Sequence, residues 1–443
     1  MLIYASRLRL AYDMVENLAL LGGTRALNRI EELDSASRWP IFGDEEKKAV
    51  CEVLDSRDPY SYIGRFEDEF ASYHNVKFAL AHNNGTSALH SAYFAVGVEP
   101  GDEVITPAYT WHLQVAPILA LHAIPVFCDI DPRTGCIDPR DIEHKISHRT
   151  KAIVVVHLYG AVAPMDEIIS IAKDHDIAVI EDCSHAHGAK YKGRKVGTIG
   201  DIGCFSLQAN KLMTGIEGGV MITNNEEYYE RACILGHYER IPRLRMEKYR
   251  RYYQTDRDMA PSCFGFKYRI HPLAAAIASI QLKHLDEWNS IRRSNMTYIT
   301  KALSIIGEEL GYIFEPPYEA PGTERLWYGY VCQYHPDKTG VSKSRFIEAL
   351  KAEGLPASDM RGFLPVYWNP IYEERSVWRE GYPFDASYVS RKITYERGIC
   401  PEAERIWLRT IRLPVIHRRV SIELLEEYVY AIEKVLRNIS SLR

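Results

Sequence analysis

Between residues 43 and 235 the sequence alternates repeatedly between helical periodicity and short apolar runs, and this alternation restricts the possible folds more than any other feature. The runs at 103–106, 125–129, 152–157 and 178–181 are too short for buried helices and too apolar to leave one face in water. Separated by helical stretches such as 164–174, they predict crossover units in a mostly parallel sheet with helices on both faces. The fold class that follows is α/β. Ahead of this region lies an N-terminal arm over 1–45, ending near the turn Arg38-Trp39-Pro40, and residues 43–54 start the first helix with acidic residues in its opening turn. The rhythm is lost over 240–261, and the helical stretch 273–293 that follows is placed to bridge two domains. We therefore expect a large mixed-sheet domain over 46–290 and a smaller α+β domain over 291–443. In the second, 326–334 alternates like a half-exposed strand, while 343–352 and 422–436 carry helical periodicity. The length of 443 residues agrees with two domains, since a single core stops growing at roughly 250 to 300 residues.

Composition excludes several classes of function. A net charge of −5 offers no concentrated basic surface for a phosphate backbone. The one arginine-rich stretch, near 240–257, is interrupted by Glu239, Glu247, Asp256 and Asp258 and reads as a solvated loop or flap, so no nucleic-acid partner is expected. The longest apolar stretch, 115–128, holds two prolines and a histidine and falls short of the ~20 residues that span a bilayer, so no membrane partner is expected either. Nine cysteines are scattered without a Cys-x-x-Cys pair, the usage of reduced thiols and a cytoplasmic address. No Gly-x-Gly-x-x-Gly lies between a first strand and its helix, which removes the nicotinamide-binding reading.

Three segments bear chemistry. The apolar run 178–181 ends in Glu181-Asp182 and continues through Ser184-His185-Ala186-His187, and ligands of open α/β sheets bind beyond strand C-termini. Asp182 could hold a pyridine nitrogen protonated; read alone, the pair also suits an acidic strand end that caps the next helix. A metal pair at His185 and His187 lacks a third ligand of suitable spacing, and no metal is expected. Second, Lys211 follows the strand-like Phe205-Ser206 and precedes the glycines at 215, 218 and 219. An enclosed lysine can lose its proton and form an imine with a carbonyl cofactor, whereas the segment in isolation also suits a surface lysine. Third, Asn84-Gly85-Thr86-Ser87 opens a helical pattern, which makes either an anion site from free amides and the helix dipole or an ordinary N-cap. Trp111, just after a strand, suits either core packing or stacking on a flat ring.

Together and in this order, these segments resemble the DegT family of sugar aminotransferases, fold-type I pyridoxal-phosphate enzymes, over roughly residues 40 to 435. The landmarks are Gly85-Thr86-Ser87, Pro100-Gly101-Asp102-Glu103, His157-Leu158-Tyr159-Gly160, Glu181-Asp182, Phe205-Ser206, Lys211 five residues later, and Glu217-Gly218-Gly219. The resemblance implies a pyridoxal 5'-phosphate cofactor in Schiff-base linkage to Lys211, with Asp182 on its ring nitrogen. It also implies phosphate ligands at Thr86 and Ser206 beside Gly85 and Ser87, Trp111 over the ring, and His185 near the phenolic oxygen. Lys267, in Gly265-Phe266-Lys267-Tyr268-Arg269, would reach the phosphate of a neighbouring subunit in a homodimer with shared sites, and the stretch near 240–260 would close over the substrate. Many members carry a histidine in the segment that here reads Leu326-Trp327-Tyr328-Gly329-Tyr330, so no donor role is assigned there. The implied reaction moves an amino group from L-glutamine or L-glutamate to a keto-sugar or ketocyclitol. The stretches at 21–23, 110–112 and 395–404 resemble the ketocyclitol and aminohydroxybenzoate branch. Alternatives are a nucleotide-linked keto-hexose acceptor, a dehydratase or aromatising synthase using the same lysine, or a non-catalytic regulator.

Overall fold

The computed structural model describes residues 17–250, 265–360 and 362–443. Seven strands form the principal sheet: β1 (Phe78–His82), β2 (Glu103–Pro107), β3 (Ile124–Cys128), β4 (Thr150–Val156), β5 (Ala178–Asp182), β6 (Ile202–Ser206) and β7 (Gly219–Thr223). Their spatial order is β1-β7-β6-β5-β4-β2-β3. The five strands from β6 to β3 are parallel to their neighbours, and β7 runs antiparallel to both β6 and β1. The sheet is therefore mixed but mostly parallel, as the apolar runs predict, and each of those runs lies on one of these strands.

Alternation along β4 shows why the runs are continuous. Ala152, Val154 and Val156 enter a core shared with Leu80, Val104, Ile180 and Met221, whereas Ile153 and Val155 enter a second core with Ile105, Val179 and Ile168. Both faces are covered over 152–156, so those five positions are all apolar, and each buried Val or Ile contributes about 1.5–3 kcal/mol. Among the covering helices are α2 (Gly85–Ala95) and α3 (Met165–Asp174), while α1 (Asp44–Asp55) packs Ala49 and Val53 against Ala276 and Ile280.

Helix α4 (Pro272–Glu309) runs 38 residues, sixteen beyond the end of the stretch read as helical from sequence. Ala275, Ala278 and Leu285 pack with the principal sheet, while Met296, Ile299, Leu303 and Ile306 pack into another core beside a four-stranded antiparallel sheet. That sheet contains β8 (Phe314–Glu315), β9 (Tyr330–Tyr334), β10 (Ser358–Asp359) and β11 (Thr410–Leu413) in the order β8-β9-β11-β10. Strand β9 shows alternating burial, and the helices α5 (Lys343–Ala352) and α6 (Ile422–Arg437) cover the same core. The irregular stretch between β10 and β11 returns to the principal sheet: Phe363, Val366, Tyr372, Phe384 and Tyr395 join its first core. Sequence periodicity carries no sign of this return. No helix among the described residues is long and apolar enough to cross a membrane.

Candidate active site

The C-terminal ends of β1, β5 and β6 and the start of β7 lie along one edge, because His82 pairs with Gly219, Gly219 with Ser206, and Asp182 with Cys204. From β1 the chain turns through Asn83 and Asn84 into α2. Asn84 caps the helix, its side-chain oxygen accepting the Ser87 N–H at 2.8 Å. The Ser87 hydroxyl donates within the same cap, 2.5 Å from Asn83 Oδ1 and 3.0 Å from the Asn84 carbonyl. Ser87 therefore shapes the loop through its side chain. The N–H groups of Gly85 and Thr86 have no acceptor among the described residues. A Cβ on Gly85 would lie 2.7 Å from Ser206 Cβ, and one on Gly219 would lie 2.4 Å from the Asn84 carbonyl oxygen. Only glycine permits these approaches, which bring the helix mouth against Ser206. Free amides, a helix dipole and the hydroxyls of Thr86 and Ser206 make a cup suited to a phosphate.

The two carboxylates ending β5 have different employment. Glu181 is completely buried; its Oε2 accepts from His157 Nε2–H at 3.0 Å and Gly197 N–H at 2.8 Å, and its Oε1 accepts from the amides of Ile199 and Gly200. Burial works to raise this carboxyl, but the His157 bond and the amides of Gly197 and Gly200 outweigh it and hold the group below the usual carboxylate range. Asp182 accepts the Ser184 N–H on Oδ1 at 3.0 Å, and its second oxygen has no partner among the described residues. It is the carboxylate left to meet a ligand.

The His185 ring lies nearly parallel to those of two tyrosines, with ring centroids 4.0 Å from Tyr328 and 5.8 Å from Tyr159. Its Nδ1 accepts the Tyr159 N–H at 3.3 Å, so the proton of the neutral ring belongs on Nε2. Burial first, and the neighbouring Lys211 amine second, push this imidazole well below its ordinary value. His185 is thus a neutral hydrogen-bond donor. Burial likewise carries His187 down to about 3.

Lys211 stands in the loop between β6 and β7, where Leu207 N–H bonds to the Gly218 carbonyl and Gly215 N–H to the Leu207 carbonyl. Leu212 and Met213 anchor the loop by burial. The Lys211 amine forms no ion pair among the described residues; it lies 4.7 Å from the centroid of the Tyr328 ring, a cation–π contact. Tyr328 reaches this position because Leu326 docks on Gly160: the Leu326 N–H bonds to the Gly160 carbonyl at 3.0 Å, and a Cβ on Gly160 would overlap the Leu326 carbonyl. The sequence reading assigned no role to this segment, and only the docking of the second sheet brings it here.

Trp111 is 54% exposed at the mouth of its helix, its ring stacked 6.0 Å from Phe363 on the returning stretch. Phe363 also meets Tyr109 and Tyr159. Lys267 lies elsewhere on the rim: its segment runs beside the end of β1, with Asn83 N–H bonded to the Tyr268 carbonyl at 2.6 Å, and the lysine side chain is exposed without a hydrogen bond or ion pair among the described residues. Of the stretch expected to cover the substrate, the part up to residue 250 is tied to the helices Ser61–His74 and Glu226–Gly236 through Arg240–Glu67 and Lys248–Glu227 ion pairs, and residues 251–264 lie outside the described residues. The site therefore combines an anion cup, an available carboxylate, a neutral imidazole donor, stacked aromatics and an unpaired amine.

A model of the DegT/DnrJ/EryC1/StrS aminotransferase family matches residues 40–426. The chain is 33% identical to a putative L-glutamine:3-amino-2,3-dideoxy-scyllo-inosose aminotransferase of Streptoalloteichus tenebrarius, over 97% of its own length and 100% of the relative's. It is 34% identical to an L-glutamine:2-deoxy-scyllo-inosose aminotransferase of the same organism, over 94% and 93%. Among solved structures, 3-amino-5-hydroxybenzoic acid synthase is similar with a TM-score of 0.73 at 28% identity, covering 90% of this chain and 98% of that one.

Proposed function

The chain belongs to the DegT/DnrJ/EryC1/StrS aminotransferase family, and from that premise we propose that it transfers an amino group from L-glutamine to a ketocyclitol of the scyllo-inosose type, with pyridoxal 5'-phosphate held at Lys211. The observation that carries the reading is the unpaired Lys211 amine beside Tyr328 and His185, at the sheet edge that also bears Asp182 and the anion cup. Bound there, the cofactor supplies an electron sink for cleavage of the carbon–hydrogen bond beside the transferred nitrogen.

The protein's own residues would divide the remaining work. The amides of Gly85 and Thr86, with the Thr86 and Ser206 hydroxyls, hold the phosphate, while Ser87 keeps the cup in shape. Asp182 holds the proton on the ring nitrogen, and His185 donates Nε2–H to the phenolic oxygen. Trp111 would stack on the ring. The Lys211 amine would carry the proton from the donor's α-carbon to the cofactor's C4′ carbon, as general base and then acid. Lys267 suits a partner subunit's phosphate, which makes a homodimer with shared sites part of the proposal. The eight described cysteines are all free, which supports a cytoplasmic location.

The test is the visible spectrum of the purified protein with pyridoxal phosphate, alone and after L-glutamine or L-glutamate, repeated on Lys211→Ala. We expect a long-wavelength band in the wild type that glutamine abolishes, no such band in Lys211→Ala, and amine appearing on 2-deoxy-scyllo-inosose. A band-free wild type would remove Lys211 from its role. A band indifferent to every donor, or a product that has lost water, would move the chain to the regulator or elimination reading, the latter being the direction in which the likeness to the aromatising synthase points.

A further inference from the structure

Trp39 of the N-terminal arm meets the loop that carries Lys211. The indole Nε1–H of Trp39 donates to the backbone carbonyl of Lys211 at 2.7 Å. Otherwise the local backbone at Lys211 is held by a turn, its N–H bonding to the Gln208 carbonyl at 2.9 Å, and by the burial of Leu212 and Met213. The amine of a lysine ends a stem of four carbons, so its reach depends on where the backbone is pinned.

The indole of Trp39 is itself confined. The His417 ring stacks on it at 4.9 Å and 30°, Trp288 meets it edge-on at 5.3 Å and 89°, and the Arg292 guanidinium lies 4.7 Å from its centroid. Arg292 is wholly buried on α4 and has no carboxylate partner among the described residues. Its Nε–H donates to His417 Nδ1 at 2.9 Å and one terminal nitrogen to Asn289 Oδ1 at 2.6 Å; the other finds no acceptor among the described residues. Asn289 in turn donates to the His187 carbonyl at 2.9 Å, on the segment that carries Asp182 and His185. A cation kept in the interior without a counter-charge is costly, and burial lowers its affinity for a proton to a value of about 9. What the guanidinium obtains in exchange is a position joining the arm, the long helix, the end of β5 and His417.

We propose that Trp39 is a positioning residue for Lys211 and that Arg292 holds Trp39 in place, so that the N-terminal arm is a working part of the active site. The proposal rests on Lys211 being the cofactor's lysine. Trp39→Phe keeps an aromatic ring against Arg292 and His417 while removing the N–H donor together with the second ring of the indole, and Arg292→Lys keeps the charge but loses the planar face. For both variants, amide hydrogen exchange over residues 207–218 is measured in protein without cofactor, and single-turnover consumption of the cofactor band by L-glutamine in protein with it.

The expected signature is a band that still forms, exchange over 207–218 accelerated about tenfold with the sheet strands unchanged, and a turnover rate lowered about tenfold at an unaltered half-saturating glutamine concentration, the scale on which one hydrogen bond of ordinary net strength acts. Wild-type exchange and rate in Trp39→Phe overturn the role of Trp39, and wild-type behaviour in Arg292→Lys overturns that of Arg292. Exchange accelerated throughout the molecule, with rate and half-saturation changed together, also overturns the proposal in favour of a general packing role. If the wild type forms no band, the reading of Lys211 falls instead, and the exchange data still report separately whether Trp39 pins the loop.

Discussion

Side by side at the end of β5, Glu181 and Asp182 are chemically alike and differently occupied. Four donors saturate the first, while the second keeps an oxygen available. The adjacent carboxylates are visible in the sequence, but their separate employment depends on the turn at 197–200 folding back beneath the strand. Gly85 is the residue at which the proposed cofactor cup is most easily closed. Gly85→Ala would place a methyl carbon 2.7 Å from Ser206 Cβ, with backbone Cα at 3.0 Å, so something in the cup must shift. We expect pyridoxal phosphate affinity to drop at least tenfold, about 1.4 kcal/mol, with secondary structure intact. Titration of the long-wavelength band against circular dichroism checks this, and wild-type affinity would place the phosphate elsewhere.

At the scale of elements, the hydrogen bonds to Glu181 stitch β5 to the His157 turn and to the 197–200 turn, so this carboxylate holds together three pieces of the site's floor. Its folded pKa lies below the ordinary value. Its contribution is therefore complete above the unfolded value near 4.5 and is lost as pH falls through the lower folded value. Glu181→Gln should destabilise the protein at pH 7 by about 2–3 kcal/mol, because hydrogen bonds to a buried ionised group are lost or weakened. The same variant should show a shallower decline of melting temperature below pH 4.5, and equal slopes in both proteins would contradict the assignment. Element type was readable wherever one period dominated: α5 and α6 and the strands β2 to β5 lie where their patterns predict. The far half of α4 was not readable, because its buried face changes partner from one sheet to the other.

For the whole molecule, the stretch after β10 is a clasp on the large sheet. Arg391 donates from Nε and a terminal nitrogen to the two oxygens of Glu103, both at 2.8 Å, and the Tyr395 hydroxyl donates to the Pro125 carbonyl at 2.9 Å. Glu103 is buried and retains one further bond, from Ser147. Arg391→Ala should cost about 2–3 kcal/mol by leaving that carboxylate under-satisfied, and should also loosen the wall that carries Phe363 against Trp111. Chemical denaturation gives the first effect and tryptophan fluorescence the second; a change below about 0.5 kcal/mol, the range of ordinary surface substitutions, would show that the clasp is not held there. Burial also sets a global pH response, since it lowers His74 to about 3 and both His82 and His90 to about 4. Below the unfolded value of 6.5 the unfolded chain binds protons that the folded chain refuses, so stability falls as pH falls from 6.5 toward 4, by up to ~1.4 kcal/mol per pH unit for each histidine. Urea unfolding at pH 7 and pH 5 should show the loss, and His74→Phe should reduce it.

The sequence by itself determined the mostly parallel sheet, because strands buried on both faces must be apolar throughout and the helices between them must cross over. It also determined the family and the spacing of Asp182, Ser206 and Lys211 along the chain, since local motifs survive in one dimension. Tertiary structure decided which of two neighbouring carboxylates is available, that Tyr328 lies under the Lys211 amine, that Phe363 faces Trp111, and that Trp39 meets Lys211 across a sequence separation of 172. Those contacts arise from the docking of separate elements, where glycine clearances, buried area and hydrogen-bond satisfaction choose the neighbours, and none of these is a function of spacing along the chain.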